Sequence, residues 1–427
     1  MMQFWQVRLL SCMQISLLCV YQVPTLAFTV NPTASRSVTR TFTTDLSAPF
    51  NATHNGGHFF AGTIKAVAPA AFDQVLLNSL EFVSVKDVDK PSDKEVLNSA
   101  DSYAFAGMLR NSAPYIADHS QQTSVFYIPG DQMDDKHYFS GLMGDIALAW
   151  MLGLKIVIVV GCRFDCDGCS LDFNNPAECQ NSLRVTDDAL LRKVEEDAGF
   201  VRFEVERILN RHLRLHGGMS ASDDDAPALN GNVVGGNFYT ARPFGVIDSV
   251  DYKNTGYPTK VYTERIENAL KNNDIVLLST IGASRLGDLV NVNGNHLAAT
   301  VAAALKARKL VYLSNNGTVL RRKGASKPMQ EIPLGMSKAL LHHYGVQVNQ
   351  AGFAAFEHAS ETTSPEAVEL LLHLGWSSWA LDQGVNRAHI VNPGDGSLLE
   401  ELFSSKLGIN TCLYVEDNAD DLDIDDP

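Results

Sequence analysis

Lys155-Ile156-Val157-Ile158-Val159-Val160 is the stretch that decides the fold. Apolar residues follow one another without alternation, so a strand made of them is buried on both faces. Such a strand sits inside a sheet covered by helices on each side. Its neighbours agree. Phe139 to Leu152 carries apolar residues at helical spacing, and Val125-Phe126-Tyr127-Ile128 reads as a short strand before it. Downstream, Asp188 to Leu213 reads as a long amphipathic helix, and Leu297 to Ala307 as a helix of small residues. Asp274-Ile275-Val276-Leu277-Leu278 and Leu310-Val311-Tyr312-Leu313 are further buried strands. Alternation of this kind predicts an α/β fold with a mainly parallel sheet between two layers of helix.

The chain has 427 residues, 45% of them hydrophobic, enough for one large domain or two ordinary ones. Its formal charge is 34 − 49 = −15. An acidic chain repels phosphate backbones, which argues against nucleic acid as a partner. Arg321-Arg322-Lys323, the nearest approach to a basic run, reads as a solvated turn.

The N-terminus reads as targeting sequence. Arg8 precedes an apolar run from Leu9 to Tyr21, too short to span a bilayer, and Thr25-Leu26-Ala27 offers a signal-peptidase site. From Phe28 to Thr44 the chain is rich in Ser and Thr and carries Arg36 and Arg40, and its first acidic residue is Asp45. A signal peptide over 1–27 and a transit-like segment over 28–60 together resemble bipartite plastid targeting. Plain secretion is the alternative, with Asn51-Ala52-Thr53 as a glycosylation acceptor; a buried N-terminal helix is another. Residues 61–98 read as a linker with one helix near Phe72 to Phe82, 99–417 as the folded domain, and 418–427 as an acidic, disordered tail. The mature form is expected to have no membrane segment.

A set of ordered blocks narrows the family. Leu109-Arg110-Asn111-Ser112-Ala113-Pro114-Tyr115-Ile116-Ala117-Asp118-His119 forms an entry helix, and Gly144-Asp145-Ile146-Ala147 leads to Leu152-Gly153-Leu154. Then come Gly161-Cys162-Arg163, Leu183-Arg184-Val185-Thr186-Asp187, Gly235-Gly236-Asn237-Phe238 and Asn291-Val292-Asn293. Leu398-Leu399-Glu400-Glu401-Leu402-Phe403 completes the set. In this order and spacing they resemble the amino-acid kinase-like domain of N-acetylglutamate synthases, from about Ser102 to Val415. The resemblance implies a three-layer α/β/α sandwich, the amino-acid kinase fold, and a place in arginine biosynthesis.

Kinases of that fold neutralise phosphate charge with lysines, an aspartate and glycine-turn amides. This chain departs at each position. Tyr127 stands where the family has lysine, Pro129 where the first turn has glycine, and Asn295 where the Asn-x-Asn-x-Asp motif ends in aspartate. The second turn continues from Gly161 into Cys162 and Arg163, which obstruct a phosphate. No lysine lies between Lys338 and Lys406. These changes predict a kinase-silent domain. Arg184 and Asn291, which resemble the acetylglutamate-binding arginine and asparagine, remain.

The resemblance also implies a feedback site for L-arginine as allosteric ligand, with Tyr115, His389, Glu401 and Gly408 in it. Glu401 would supply the carboxylate a guanidinium needs. Asn410 replaces the second glycine of the family's Gly-x-Gly-Thr turn, a position Asn can serve through its tolerance of positive φ. The alternative is a surface glutamate and a packing tyrosine.

Full synthases continue into an acetyltransferase domain that binds acetyl-CoA, whereas twelve residues follow Val415 here. Acetyl-CoA is therefore expected only if that domain is supplied elsewhere. Three readings stand: a regulatory arginine-binding domain; the N-terminal part of an active amino-acid N-acetyltransferase; and a divergent acetylglutamate kinase. Expected partners are a second copy through the entry helix and an acetyltransferase or acetylglutamate kinase chain. Cys162, Cys166, Cys169 and Cys179 fall within eighteen residues. Radical-type iron–sulfur ligation, a structural zinc site, a switchable disulfide and unlinked thiols are the readings that spacing allows. Asp165, Asp167 and Asp172 nearby would raise the thiol pKa values and lower their reactivity.

Overall fold

A computed structural model of the chain describes residues 80–84, 102–162, 179–180, 183–216, 231–247, 249–314, 317–348, 354–356, 365–404 and 410–416. The chain divides into Met1–Ile64 and Lys65–Pro427, and every described residue belongs to the second unit. The signal, transit and acidic-tail segments expected from sequence lie outside the described residues, as does most of the linker.

An eight-stranded sheet forms the centre. In chain order its strands are β1 (Thr123–Ile128), β2 (Lys155–Val160), β3 (Val233–Gly235), β4 (Ile275–Ser279), β5 (Lys309–Leu313), β6 (Glu331–Pro333), β7 (Arg387–Val391) and β8 (Thr411–Tyr414). Across the sheet they run β6-β8-β7-β5-β1-β2-β4-β3. The six from β7 to β3 are parallel; β8 is antiparallel to β7, and β6 runs with β8. The expected mainly parallel sheet is present.

Two apolar layers enclose it, because successive side chains of a strand point to opposite faces. Phe126, Ile128, Ile156, Ile158, Leu277 and Val311 face one layer. It is built from helices α1 (Ser102–His119), α2 (Lys136–Met151), α3 (Asp188–His216) and α8 (Ser397–Phe403). Val125, Tyr127, Val157, Val159, Leu310 and Tyr312 face the other. There lie α4 (Thr263–Lys271), α5 (Gly294–Leu305), α6 (Leu334–His343) and α7 (Pro365–Asp382). Ile156, Val157, Ile158 and Val159 have no exposed surface. Each stabilises the fold by about 1.5–3 kcal/mol through burial. An aspartate at any of them would break the centre of the sheet.

Helix starts follow local chemistry. Asp135 caps α2 by accepting from the N–H groups of His137 and Tyr138, and Asn293 caps α5 by accepting from that of His296. Two features differ from the sequence expectation. Tyr239–Pro243, Thr255–Val261, Ile281–Ala283 and Leu289–Val292 close into a small barrel beside the sheet. Leu80–Ser84, expected at the end of a helix within a linker, is a strand antiparallel to Thr318–Arg322. Arg321 holds Glu81 there at 2.7 Å. An open strand edge and a charge partner 240 residues away outweigh local helical spacing. Among the described residues no helix is long and apolar enough to cross a membrane.

Candidate ligand site at the end of the entry helix

Strand β7 carries His389, whose neighbours in register are Val311 on β5 and Cys412 on β8. Lys309, two residues before Val311, points to the same face. Helix α8 brings Glu401 over this face, and the last turn of α1 brings His119. His389 Nδ1 and Glu401 Oε1 are 2.7 Å apart, and both side chains are largely buried.

Protonation states follow from this packing. Burial first, then the charge of Lys309, pulls the His389 pKa down to about 4, so the ring is neutral at pH 7. Burial works against ionised Glu401, but hydrogen bonds from His389 and Asn410 and the charge of Lys309 outweigh it and hold the carboxyl below its ordinary value. The His389 Nδ1–H therefore donates to a carboxylate, and Nε2 is left as an acceptor. That nitrogen is buried and meets no partner among the described residues. His119 repeats the arrangement. Its Nδ1–H donates to the Tyr115 carbonyl, burial and Lys309 lower its pKa to about 4, and Nε2 is buried without a partner among the described residues. The His119 ring lies 5.7 Å from that of Phe403. Lys309 is itself buried, which pushes its pKa down to about 8 and still leaves it mainly cationic at pH 7. Burial and then Glu401 push the Cys412 thiol up to about 12, which keeps it protonated and unreactive.

Asn410 ties the site together. Its Oδ1 accepts from the Asn392 N–H at 2.9 Å and from the Ser397 hydroxyl at 3.2 Å; its Nδ2 donates to the Ser397 carbonyl at 3.3 Å. The sequence assigned Asn410 to a backbone turn; the structure gives its side chain the work of anchoring the start of α8. Tyr115 is half-buried and packs against the apolar layer beside α8. Gly408 lies outside the described residues. Lys309 and His119 were not singled out in the sequence. The lysine opens an apolar strand and reads there as a solvated strand end. His119 stands one helical turn after Tyr115, a spacing that could have found it.

The result is one carboxylate, two neutral imidazole acceptors and one ammonium in a largely buried cluster. A carboxylate with two bare acceptors suits a cation with several N–H groups, and the ammonium suits an anionic group beyond it.

The acetylglutamate-like residues also converge. Asn291 Nδ2 donates to Thr186 Oγ1 at 3.1 Å. The Thr255 hydroxyl lies 2.8 Å from Thr186 Oγ1 and 2.6 Å from the Arg184 carbonyl oxygen. Arg184 and Asn291 thus share one network, and Asn291 Oδ1 is buried there without a partner among the described residues.

The kinase positions are packed differently. Tyr127 is buried, edge-on to Tyr312 with ring centroids 5.9 Å apart. Its ring closes on Gly294, where an added Cβ would lie 2.9 Å from the phenol oxygen. Pro129 precedes a short 3-10 turn, Gly130–Asp134. The Gly161 N–H, which would face phosphate in a glycine turn, donates instead to the Ile128 carbonyl at 2.9 Å. The Asn295 carbonyl accepts from the Tyr312 hydroxyl at 2.9 Å. Cys162 is buried, its Sγ 3.3 Å from Thr280 Oγ1. Cys166 and Cys169 lie outside the described residues, and Cys179 belongs to a two-residue strand paired with Leu183–Arg184. Among the described residues no group of three or more His, Cys, Asp or Glu is placed to hold a metal ion.

Comparison with known proteins agrees with this architecture. Residues 125–333 match the model of the amino acid kinase family. The chain is 30% identical over 310 residues to an amino-acid acetyltransferase of Shewanella oneidensis, covering 72% of this chain and 63% of that one. It is 31% identical over 317 residues to the amino-acid acetyltransferase of Mannheimia succiniciproducens, covering 74% and 65%. The N-acetylglutamate synthase of Neisseria gonorrhoeae, solved with coenzyme A and L-arginine, superposes with a TM-score of 0.55 at 29% identity, covering 74% of this chain and 66% of that one. The chain spans a little under two thirds of the length of these curated relatives. By sequence blocks, sheet topology and these likenesses together, the chain belongs to the N-acetylglutamate synthase family and carries its amino-acid kinase-like domain.

Proposed function

We propose that this domain binds L-arginine at Glu401 as a regulatory ligand of arginine synthesis and does not transfer phosphate. The observation that carries the reading is the pair of buried acceptors without a partner among the described residues, His119 Nε2 and His389 Nε2, the second on the ring whose Nδ1 meets Glu401. Leaving two such atoms unpaired costs about 1–3 kcal/mol each. A guanidinium, with five N–H donors in a planar fork, satisfies both imidazoles and the carboxylate at once. Lys309 then faces the ligand's α-carboxylate. The N-acetylglutamate synthase solved with L-arginine supports this choice of ligand. Phosphoryl transfer is disfavoured because neutral Tyr127 fills the lysine position and the Gly161 N–H is engaged in the sheet.

Acetyl transfer, and acetyl-CoA with it, we place on a domain beyond these residues, either on the same polypeptide or on a partner acetyltransferase chain. The span of this chain over 63–65% of its acetyltransferase relatives favours keeping the second reading, the N-terminal part of an active synthase making N-acetylglutamate. We place the mature protein in the plastid, as a homo-oligomer assembled through α1. On that helix Phe105, Met108 and Leu109 are 70%, 58% and 52% exposed, at one-turn spacing. A fluorescent fusion of residues 1–60 reports the first point, reaching plastids if the reading holds and the secretory route if it does not.

Thermal unfolding of the full chain with and without arginine, with ornithine as control, tests the ligand. At 100 times its dissociation constant arginine adds about 2.7 kcal/mol, a clear rise in midpoint. Ornithine, lacking the guanidinium fork, leaves the midpoint in place. Equal shifts for both, or none for either, would remove the reading.

A further inference from the structure

The seam between helices α5 and α7 holds a concentration of buried polar atoms that the ligand site does not use. His296 Nδ1 and Thr300 Oγ1, one helical turn apart on α5, have no partner among the described residues. His373 Nδ1 and Ser377 Oγ, one turn apart on α7, and Trp379 Nε1 have none either. His296, His373 and Ser377 are each 98% or more buried. The two helices pack here through rings. His296 stacks on Trp376 with centroids 4.6 Å apart and meets Trp379 edge-on at 6.3 Å. His373 stacks on Tyr312 at 5.0 Å, and the Tyr312 hydroxyl donates to the Asn295 carbonyl next to His296.

Five orphan atoms in one seam are more than a native core tolerates dry, since nearly all buried polar groups are hydrogen-bonded. Protonation does not relieve them, because burial pulls His296 and His373 down to about 3, which leaves both neutral. The groups mix donors with acceptors: indole N–H donates only, hydroxyls do both, and a neutral imidazole has one of each. An ion of either sign would suit only half of them, whereas water serves all. Glu369, His373 and Ser377 recur every four residues along α7, a polar stripe among Val368, Leu370, Leu371 and Leu374. At its upper end Glu369 Oε1 meets the Ser314 hydroxyl at 3.5 Å, at the edge where β5 ends.

We propose that a file of ordered water molecules enters beside Ser314 and Glu369 and runs between α5 and α7, bridging His373 and Ser377 to His296, Thr300 and Trp379. The file lies directly behind Tyr127 and Asn295, so it is the wet side of the centre that the tyrosine closes. Buried waters of this kind make about three hydrogen bonds each and hold their position.

The test is a high-resolution crystal structure of the full chain, with Thr300→Val and Ser377→Ala as variants that change a hydroxyl and little volume. The expected result is density for bridging waters in the seam and a fall in melting temperature of about 2–4 °C for each variant, as bridged hydroxyls are lost. A seam without water density overturns the proposal. A rise in melting temperature for both variants also overturns it, because removing a dry orphan hydroxyl stabilises.

Discussion

The two ends of this domain handle the same problem in opposite ways. At the end of α1, polar groups are gathered around the Glu401 carboxylate and two buried imidazole nitrogens have no partner among the described residues. At the kinase centre, Tyr127 and Tyr312 fill the space with rings, and the peptide groups of Gly161 and Asn295 are used up in hydrogen bonds within the chain. Stability alone would favour the second solution everywhere, since an open buried acceptor is a standing cost. Such a cost is offset by a group from outside the chain: on our proposals, by a ligand at the end of α1 and by water in the seam between α5 and α7. On the proposed function, the contrast is between a site kept for binding and a centre filled by packing.

Acid should break both regions and gives the largest effect. His119 and His389 in the ligand site have pKa values near 4, and His296 and His373 behind the kinase centre near 3, all below the unfolded value through burial. A histidine depressed in this way stabilises the fold above its unfolded pKa, about 6.5. That contribution is lost as pH falls from there toward 4. Each such group takes up a proton on unfolding, a slope of roughly 1.4 kcal/mol per pH unit. Asp145 opposes them, because burial and then Asp395 raise it to about 6, so its contribution falls as pH rises toward 6. Asp131, also raised by burial, acts in the same direction as Asp145, and two carboxyls against four histidines leave a net loss on acidification. Urea unfolding between pH 7 and pH 4.5 checks this, and a flat profile would mean that the imidazoles are not buried as described.

Tyr127→Lys sharpens the contrast at the kinase centre. Restoring the family's lysine there buries an ammonium among Val125, Val159 and Leu297, and should cost about 4 kcal/mol or more without giving ATP turnover. Denaturant titration and a coupled ATPase assay with acetylglutamate read the two halves of that statement. Recovered turnover would show that packing had not closed the centre.

Glu401→Gln acts on the other region. The domain should stay folded while arginine affinity falls by ten- to a hundred-fold, the loss expected when a charge-assisted contact becomes neutral. Asn410→Ala should weaken binding less, by about three- to ten-fold, since it removes only the anchor of α8 and one hydrogen bond to Glu401. If Asn410→Ala exceeds Glu401→Gln in effect, the carboxylate is not the centre of the site. The smallest change is expected from Glu81→Ala, below about 1 kcal/mol, because the Glu81–Arg321 pair is partly exposed.

How far the sequence could be read depends on the reach of each interaction. The strand at Lys155–Val160 was legible residue for residue, because burial on both faces leaves an unbroken apolar run. Asp188 and Lys136 bound helices close to where periodicity placed them. The barrel around Gly256 and Gly282 was not legible, since its strands are short and close on each other across sequence gaps. Leu80–Ser84 was misread for a similar reason, its partner being Thr318–Arg322. In the ligand site, Glu401 and His389 came through family resemblance, whereas Lys309 became visible only when β5 and β7 were seen side by side. A lysine at the head of an apolar strand looks like a solvated end until the sheet shows what covers it.

Titration calorimetry of L-arginine into the full chain at pH 7.5, run for the parent protein and Glu401→Gln, addresses the central claim most directly. Saturable binding of one arginine per chain, no binding of ornithine, and a loss of at least ten-fold in the variant is the predicted result. Equal affinity in the two proteins, or no heat of binding in either, would contradict the assignment of this cluster as the ligand site.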